Sequence, residues 1–583
     1  FFAGRGRANV VAVSAADGSL LWSIPGGYNA TNLLFTRGHL FAHIPGAMMI
    51  EPASGRIVKD LGTSKRSCAR FTGCPEALFH RGSIRNGEGT TRYDLQSGTA
   101  SVIHAFRPPC NDGVIPADGL LHVTQWDCDC NLQLMGGIAL APGGDFEFNR
   151  DARESERLQV MAHDPSDIAL FMASGRDWNT YRMDNERSSC TPTNVPEDAA
   201  IRWQYRPNAP LRPSPPTAAG GLVFVGGSDC KIRAIDANTG ALRWCARLGG
   251  PSRLPPSIWK GRAFVGCNDG YVYALEAATG RLLWRFRAAP VERRIMVFDQ
   301  MWSTWPVNSG VLVHEGIAYA AAGIINYDGT HVYALDAVNG KIRWQNNTSG
   351  HLNRELREGV SVQGDMAVFN DILWLAGGNV TSPARYDLAT GKCLNSPPDA
   401  GWPRGPRGSE VFAFMSKYLI VGGRRLFAQD DDPIVNWSGF QVQAVRGAKP
   451  KHIPGRVPPA FGNGVVAMSG RGRLVCVDAG EMEQWLQQPD PKAKLQARWT
   501  AESLHGSVSV AIAGKAVVAA GQARDATGRP AGWAVEAFGI EDGGRLWSEP
   551  LPSAPLPGGL CVDRDGQAIV VLEDGGIVCV GKA

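Results

Sequence analysis

The chain has 583 residues, 44% of them hydrophobic and 20% charged, the proportions of a globular protein and not of a disordered one. Its net charge of +4 is small for that length and no run of Lys and Arg forms a stripe, which argues against nucleic-acid binding. No apolar stretch reaches the roughly 18–20 residues that span a bilayer as a helix; residues 310–325, a long one, are broken by His314 and Glu315.

In chain order, Phe1 to Gly4 read as the end of a strand and not as a signal peptide, which suggests a processed or trimmed chain. Residues 9–22 read NVVAVSAADGSLLW: alternating apolar residues, a turn of Asp then Gly, and a short strand ending in Trp22. The turn recurs without its Trp at 51–55 (EPASG) and 94–98 (DLQSG). Cys68, Cys74, Cys110, Cys128, Cys130 and Cys190 then fall in one stretch. An even cluster without paired C-x-x-C knuckles favours disulfides in an oxidising compartment, hence a periplasmic or extracellular protein. Separate buried thiols are the alternative. A metal held by Cys110, Cys128, Cys130 and His104 is a third reading, and C-x-C alone is a weak signal for it. In the same stretch Arg70, Arg107, His104 and Trp126 are suited to an anionic or sugar-like ligand, Arg by its planar fork and Trp by its flat face. The bland reading has the cysteines stapling insertions and the arginines pairing with Glu88, Asp127 or Asp129. Residues 176–182, with Asp184, Arg187 and Cys190 after them, read as a solvated crossover loop.

The clearest repeats follow. Residues 231–244 read KIRAIDANTGALRW, 271–284 read YVYALEAATGRLLW and 331–344 read HVYALDAVNGKIRW. Each is a half-buried strand, a Gly-containing turn and a second strand ending in Trp244, Trp284 or Trp344. A weaker copy at 533–547 ends in Trp547. An exposed Trp in every unit would be costly, so these indoles, with Trp22, are expected to lie over neighbouring units. Between two clean copies, 291–306 combines Arg293, Arg294, Asp299, Gln300, Trp302 and Trp305. Aromatics interleaved with guanidinium and polar groups suit a cleft for a planar or saccharide ligand; inter-unit packing by the two Trp is the alternative. The turn at 387–391 lacks its Trp, and only the first strand survives at 473–478 and 576–580.

These marks resemble the PQQ-like repeat, A-x-D-x-x-T-G-x-x-x-W, which Ala234, Asp236, Thr239, Gly240 and Trp244 match in full. The resemblance implies an all-β propeller of four-stranded antiparallel blades sealed by Trp girdles, here one propeller over residues 1–583 with divergent stretches at 105–200 and 395–470. Eight blades would average about 73 residues each, against roughly 40–50 for a compact repeat. The final strands, 568–572 and 577–580, are expected to close the ring beside residues 10–13.

The repeat is specific for fold and nearly silent on function. No C-x-x-C-H occurs, so no c-type haem is attached. Neither the adjacent cysteine pair of many quinoprotein dehydrogenases nor an identifiable calcium-ligand spacing is present, which argues against PQQ with calcium. Three readings remain. One is a protein that binds or processes a saccharide or anionic ligand at one face, with His104, His80, Tyr93 and Tyr181 as candidate bases. Another is a scaffold for an envelope protein partner, like the outer-membrane assembly lipoprotein that shares the repeat. The last is a PQQ-dependent dehydrogenase.

Overall fold

The acid of each repeat organises the turn after it. Asp236 Oδ1 accepts the backbone N–H groups of Asn238 and Thr239 and the Thr239 hydroxyl, each at 3.0 Å. Gly240 takes a φ of 72° there and donates its N–H to the Asp236 carbonyl. The next strand returns in a register that sets Ala234 opposite Trp244, Ala274 opposite Trp284 and Ala334 opposite Trp344. A small residue opposite the indole leaves the ring free to lie across the next unit.

The structure, a computed structural model, describes residues 9–25, 32–44, 46–65, 69–82, 89–103, 106–109, 112–124, 136–141, 150–162, 164, 167–297, 300–352, 359–362, 364–377, 381–395, 408–415, 418–422, 440–442, 452–453, 457–470, 472–488, 493–525 and 527–583. Phe1 to Gly4, Cys68, Glu88, His104, Cys110, Trp126, Asp127, Cys128, Asp129, Cys130 and Asp299 lie outside them. No described helix is long and apolar enough to cross a membrane.

The chain divides into two compact units, residues 1–147 with 295–301, and residues 148–294 with 302–583. The first unit holds the hairpin Val10–Val13 with Leu20–Ile24, four-stranded sheets over 34–60 and 72–103, and a three-stranded sheet over 114–140. Among the described residues the second holds eight successive antiparallel sheets, over 217–247, 257–287, 311–346, 366–387, 410–453, 460–501, 504–551 and 555–582. The average of about 73 residues per blade therefore mixes two units.

Each hydrophobic core of the second unit joins neighbouring sheets. Phe224 and Ala234 of the first sheet pack with Ala263 and Tyr273 of the second, and Phe264 and Trp284 of the second with Ala320 and Tyr333 of the third. The series runs on to the seventh and eighth sheets, whose core also contains Val223 and Ile235 of the first. The eight sheets thus close on themselves as a β-propeller.

Closure differs from the sequence expectation. Ile577–Lys582 pairs antiparallel with Ala199–Tyr205, from Ala199 opposite Lys582 to Tyr205 opposite Ile577. Val10–Val13 pairs with Leu20–Ile24 instead. The physical reason is Trp203, which the closing strand carries onto the first sheet: its indole donates to the Ala237 carbonyl at 2.8 Å. The other indoles repeat the contact. Trp244 donates to Ala277 (3.0 Å), Trp284 to Val338 (3.1 Å), Trp344 to Leu388 (3.0 Å), Trp499 to Ile540 (2.9 Å) and Trp547 to Pro196 (2.9 Å). Within the first unit Trp22 donates to Pro52 at 2.8 Å.

Candidate functional site

The first strands of the eight sheets line the inside of the ring, and residues 177–191 run along them. Backbone carbonyls of this axial segment accept N–H groups sheet by sheet. Trp178 accepts from Ala218 (2.8 Å), Asn179 from Ile258 (2.6 Å), Asn185 from Val368 (3.0 Å), Glu186 from Ala413 (3.0 Å), Ser188 from Phe461 (2.9 Å) and Ser189 from Ile512 (2.9 Å). The third sheet is reached by Asn185 Nδ2, which donates to the Val313 carbonyl at 2.9 Å. The eighth is reached through Arg564, whose guanidinium holds both carboxylate oxygens of Asp177 at 2.6 and 2.7 Å. The segment therefore touches all eight sheets in order.

This overturns the reading of 176–190 as a solvated crossover loop. Trp178, Tyr181, Arg182, Arg187 and Thr191 are buried against the inner strands, while Asn179 stays exposed. Arg182, Met183, Arg187 and Ser189 all take positive φ, a conformation that costs side-chain-bearing residues free energy and persists only when surrounding contacts enforce it.

Two guanidinium groups and two carboxyl groups meet here. Arg187 donates from Nε to the Met366 carbonyl (2.9 Å) and from Nη1 to Thr180 Oγ1 (3.2 Å) and the carbonyls of Tyr181 and Asp184 (3.0 Å each). Its Nε also lies 3.5 Å from Asp365 Oδ2. Arg182 donates to Ser189 Oγ (2.9 Å) and the Pro459 carbonyl (2.5 Å), with its guanidinium 4.9 Å from the Phe412 ring centre. The Tyr181 hydroxyl donates to Glu410 at 3.0 and 3.2 Å. Burial, and then the charge of Glu410, hold Asp365 well above the usual carboxylate range; burial also raises Glu410, against the pull of Arg182. Tyr181 is pushed well above an ordinary phenol by burial and Glu410, so it stays protonated and serves as a donor.

Beside the segment lies a cavity of about 300 Å³ lined by Gly175, Asp177, Asn179, Thr180, Met183, Asp184, Asn185, Ser257, Ile258, Trp259 and Val313. Its acids are engaged: Asp177 by Arg564, and Asp184 by the N–H groups of Glu186 and Ser188. Among the described residues no group of three His, Cys, Asp or Glu side chains is placed to hold a metal ion.

The other candidate residues belong neither to this segment nor to its cavity lining. Arg70 and the buried Arg107 belong to the first unit, where Arg107 donates to the Pro108 carbonyl at 3.0 Å. His80 is buried there too, against Thr63 Oγ1 (3.2 Å), and burial lowers it to about 4. Tyr93 is buried, with Lys59 Nζ 6.0 Å from its ring centre. In the second unit Arg293 lies 4.6 Å from the ring centre of the buried Trp305, Arg294 donates to the Gly249 carbonyl at 3.2 Å, and Trp302 is buried. Cys74 and Cys190 are free thiols, and the other four cysteines of that stretch lie outside the described residues. Burial in the axial segment and the Asp184 charge push Cys190 up to about 11. Asp365 and Glu410 were missed by sequence reasoning. The available signal was in their partner segment, where 176–191 mixes aromatic and charged residues with no Gly or Pro to punctuate a loop.

The family described as outer membrane protein assembly factor BamB matches residues 195–430 and 268–530, more than half of the chain. No curated protein matches. Among solved structures the chain is similar to quinohemoprotein alcohol dehydrogenase ADHIIG from Pseudomonas putida HK5, at 13% identity over 70% of this chain and 80% of that one (TM-score 0.46). It is similar to a europium-containing methanol dehydrogenase at 12% identity over 68% and 90% (TM-score 0.46). It is also similar to BamB from Moraxella catarrhalis at 13% identity over 73% and 97% (TM-score 0.30).

Proposed function

The chain belongs to the PQQ-like repeat family described as outer membrane protein assembly factor BamB, and from that premise we propose that it is a non-catalytic scaffold of the bacterial envelope that binds a protein partner. One observation carries the reading: the ring interior, where a propeller can hold a cofactor or substrate, is taken up by the chain's own residues 177–191. Arg187 is paired with Asp365 and Asp177 with Arg564, and the Tyr181 hydroxyl donates to Glu410. What the second unit offers a partner is then its loops and outer strands, the surfaces through which repeat scaffolds recognise proteins.

The test is purification of the full chain from its own envelope in mild detergent, with PQQ and calcium added to a parallel sample. A stoichiometric complex with an outer-membrane assembly protein, indifferent to PQQ, supports the scaffold. Calcium-dependent PQQ uptake with dye reduction overturns it in favour of a dehydrogenase. A saccharide-binding reading has one favouring observation, the indole of Trp259 beside Asn179 and Asn185 in the 300 Å³ cavity. Calorimetry against a panel of neutral and acidic glycans tests that reading, and silence across the panel ends it.

A further inference from the structure

Residues 150–160 wedge between the second and third sheets before the chain reaches the axis. Leu158–Val160 extends the second sheet, and Glu154 Oε1 accepts the Ile342 N–H of the third at 2.9 Å. Between them Arg157 enters the protein, only 2% exposed. Its Nη1 donates to the Tyr333 hydroxyl at 2.7 Å, while Nε and Nη2 have no hydrogen-bond partner. Those two N–H groups form the side-on fork of a guanidinium, the pair that grips both oxygens of one oxyanion.

Two positions before Tyr333, on the same face of the strand, His331 is 1% exposed with neither ring nitrogen partnered. Burial and the Arg157 charge lower it to about 3, so the ring is neutral and keeps one donor and one acceptor. Among the described residues Arg157 has no ion pair. The nearby acids are engaged elsewhere: Asp151 by Asn347, Glu156 by Arg150, and the half-buried Asp328 faces Arg293 and His351. A water molecule would satisfy an N–H group but not the charge. An uncompensated buried guanidinium is costly, and an anion on its fork removes most of that cost.

We propose that Arg157 and His331 form an enclosed site for a small carboxylate ion, bound through both oxygens to Arg157 Nε and Nη2. It uses no axial residue and stands independently of the scaffold reading. The experiment is thermal melting of the full chain in sodium acetate, sodium formate, sodium phosphate and sodium chloride at equal ionic strength, with acetate affinity read by calorimetry. The expected result is a rise of about 2 °C in acetate or formate over chloride. Arg157→Gln and Arg157→Lys are expected to lose that rise and to weaken acetate binding at least about tenfold, since Lys keeps the charge but not the fork. Equal melting of the wild type in all four salts, a rise in phosphate alone, or an unchanged rise in both variants would overturn the site. The wild-type comparison decides even if a variant fails to fold.

Discussion

Gly280 does two jobs that no other residue can combine. Its φ of 77° suits the turn, and a Cβ placed on it would lie 2.6 Å from the Trp244 ring of the preceding sheet. Gly240, Gly340, Gly391 and Gly543 meet Trp203, Trp284, Trp344 and Trp499 in the same way. The T-G of the repeat is thus a floor for the neighbour's indole as well as a turn. Gly280→Ala should cost more than about 1 kcal/mol, and Trp244→Ala about 3 kcal/mol. In the double variant the Gly280→Ala cost should shrink toward its backbone part, which denaturant titration of the four proteins measures. Glu410 gives a second prediction at this scale. Its carboxyl titrates higher in the fold than in the unfolded chain, so it contributes stability at low pH that is lost as pH rises through its raised value. Glu410→Gln keeps an acceptor for Tyr181 without that loss. Its melting temperature relative to wild type should therefore climb as pH rises above the ordinary glutamate range; a constant difference would remove Glu410 from the account.

At the scale of elements, the axial segment is held by carbonyls that accept from the sheets and by two ion pairs, Asp177 with Arg564 and Arg187 with Asp365. Arg187→Gln leaves a buried carboxyl without its cation and should destabilise by about 3–5 kcal/mol, read by chemical denaturation. The hairpins ending in Trp244, Trp284 and Trp344 were legible in the sequence because strand, turn and indole lie within fourteen residues. Trp203 and Trp499 were not. Trp203 sits on a strand whose partner is Ile577–Lys582, and the helix Ala479–Gln487 separates Trp499 from Arg473–Asp478. The axial segment was illegible for a related reason. Its polar, aperiodic sequence has the look of a loop, and its burial is imposed by eight sheets distant in the chain.

For the whole molecule, closure makes the second unit self-sufficient. Its eighth sheet is completed by Ala199–Tyr205 and needs no strand from the first unit. The alternation of Val10–Val13 looked equally able to close the ring, since period-two patterning cannot say which distant strand it will meet. A fragment of residues 150–583 should fold with a cooperative melt, and Trp203→Ala within it should lower the midpoint by several degrees. A fragment that stays unfolded would mean that closure needs residues of the first unit.

Hydrogen exchange on the full chain tests the filled ring most directly. The amides of Ala218, Ile258, Val368, Ala413, Phe461 and Ile512 donate to carbonyls of residues 178–189 and to nothing else the ring provides. They should exchange as slowly as the central strand amides of their own sheets. Exchange of these six at the rate of surface loops would show the segment outside the ring and contradict the account.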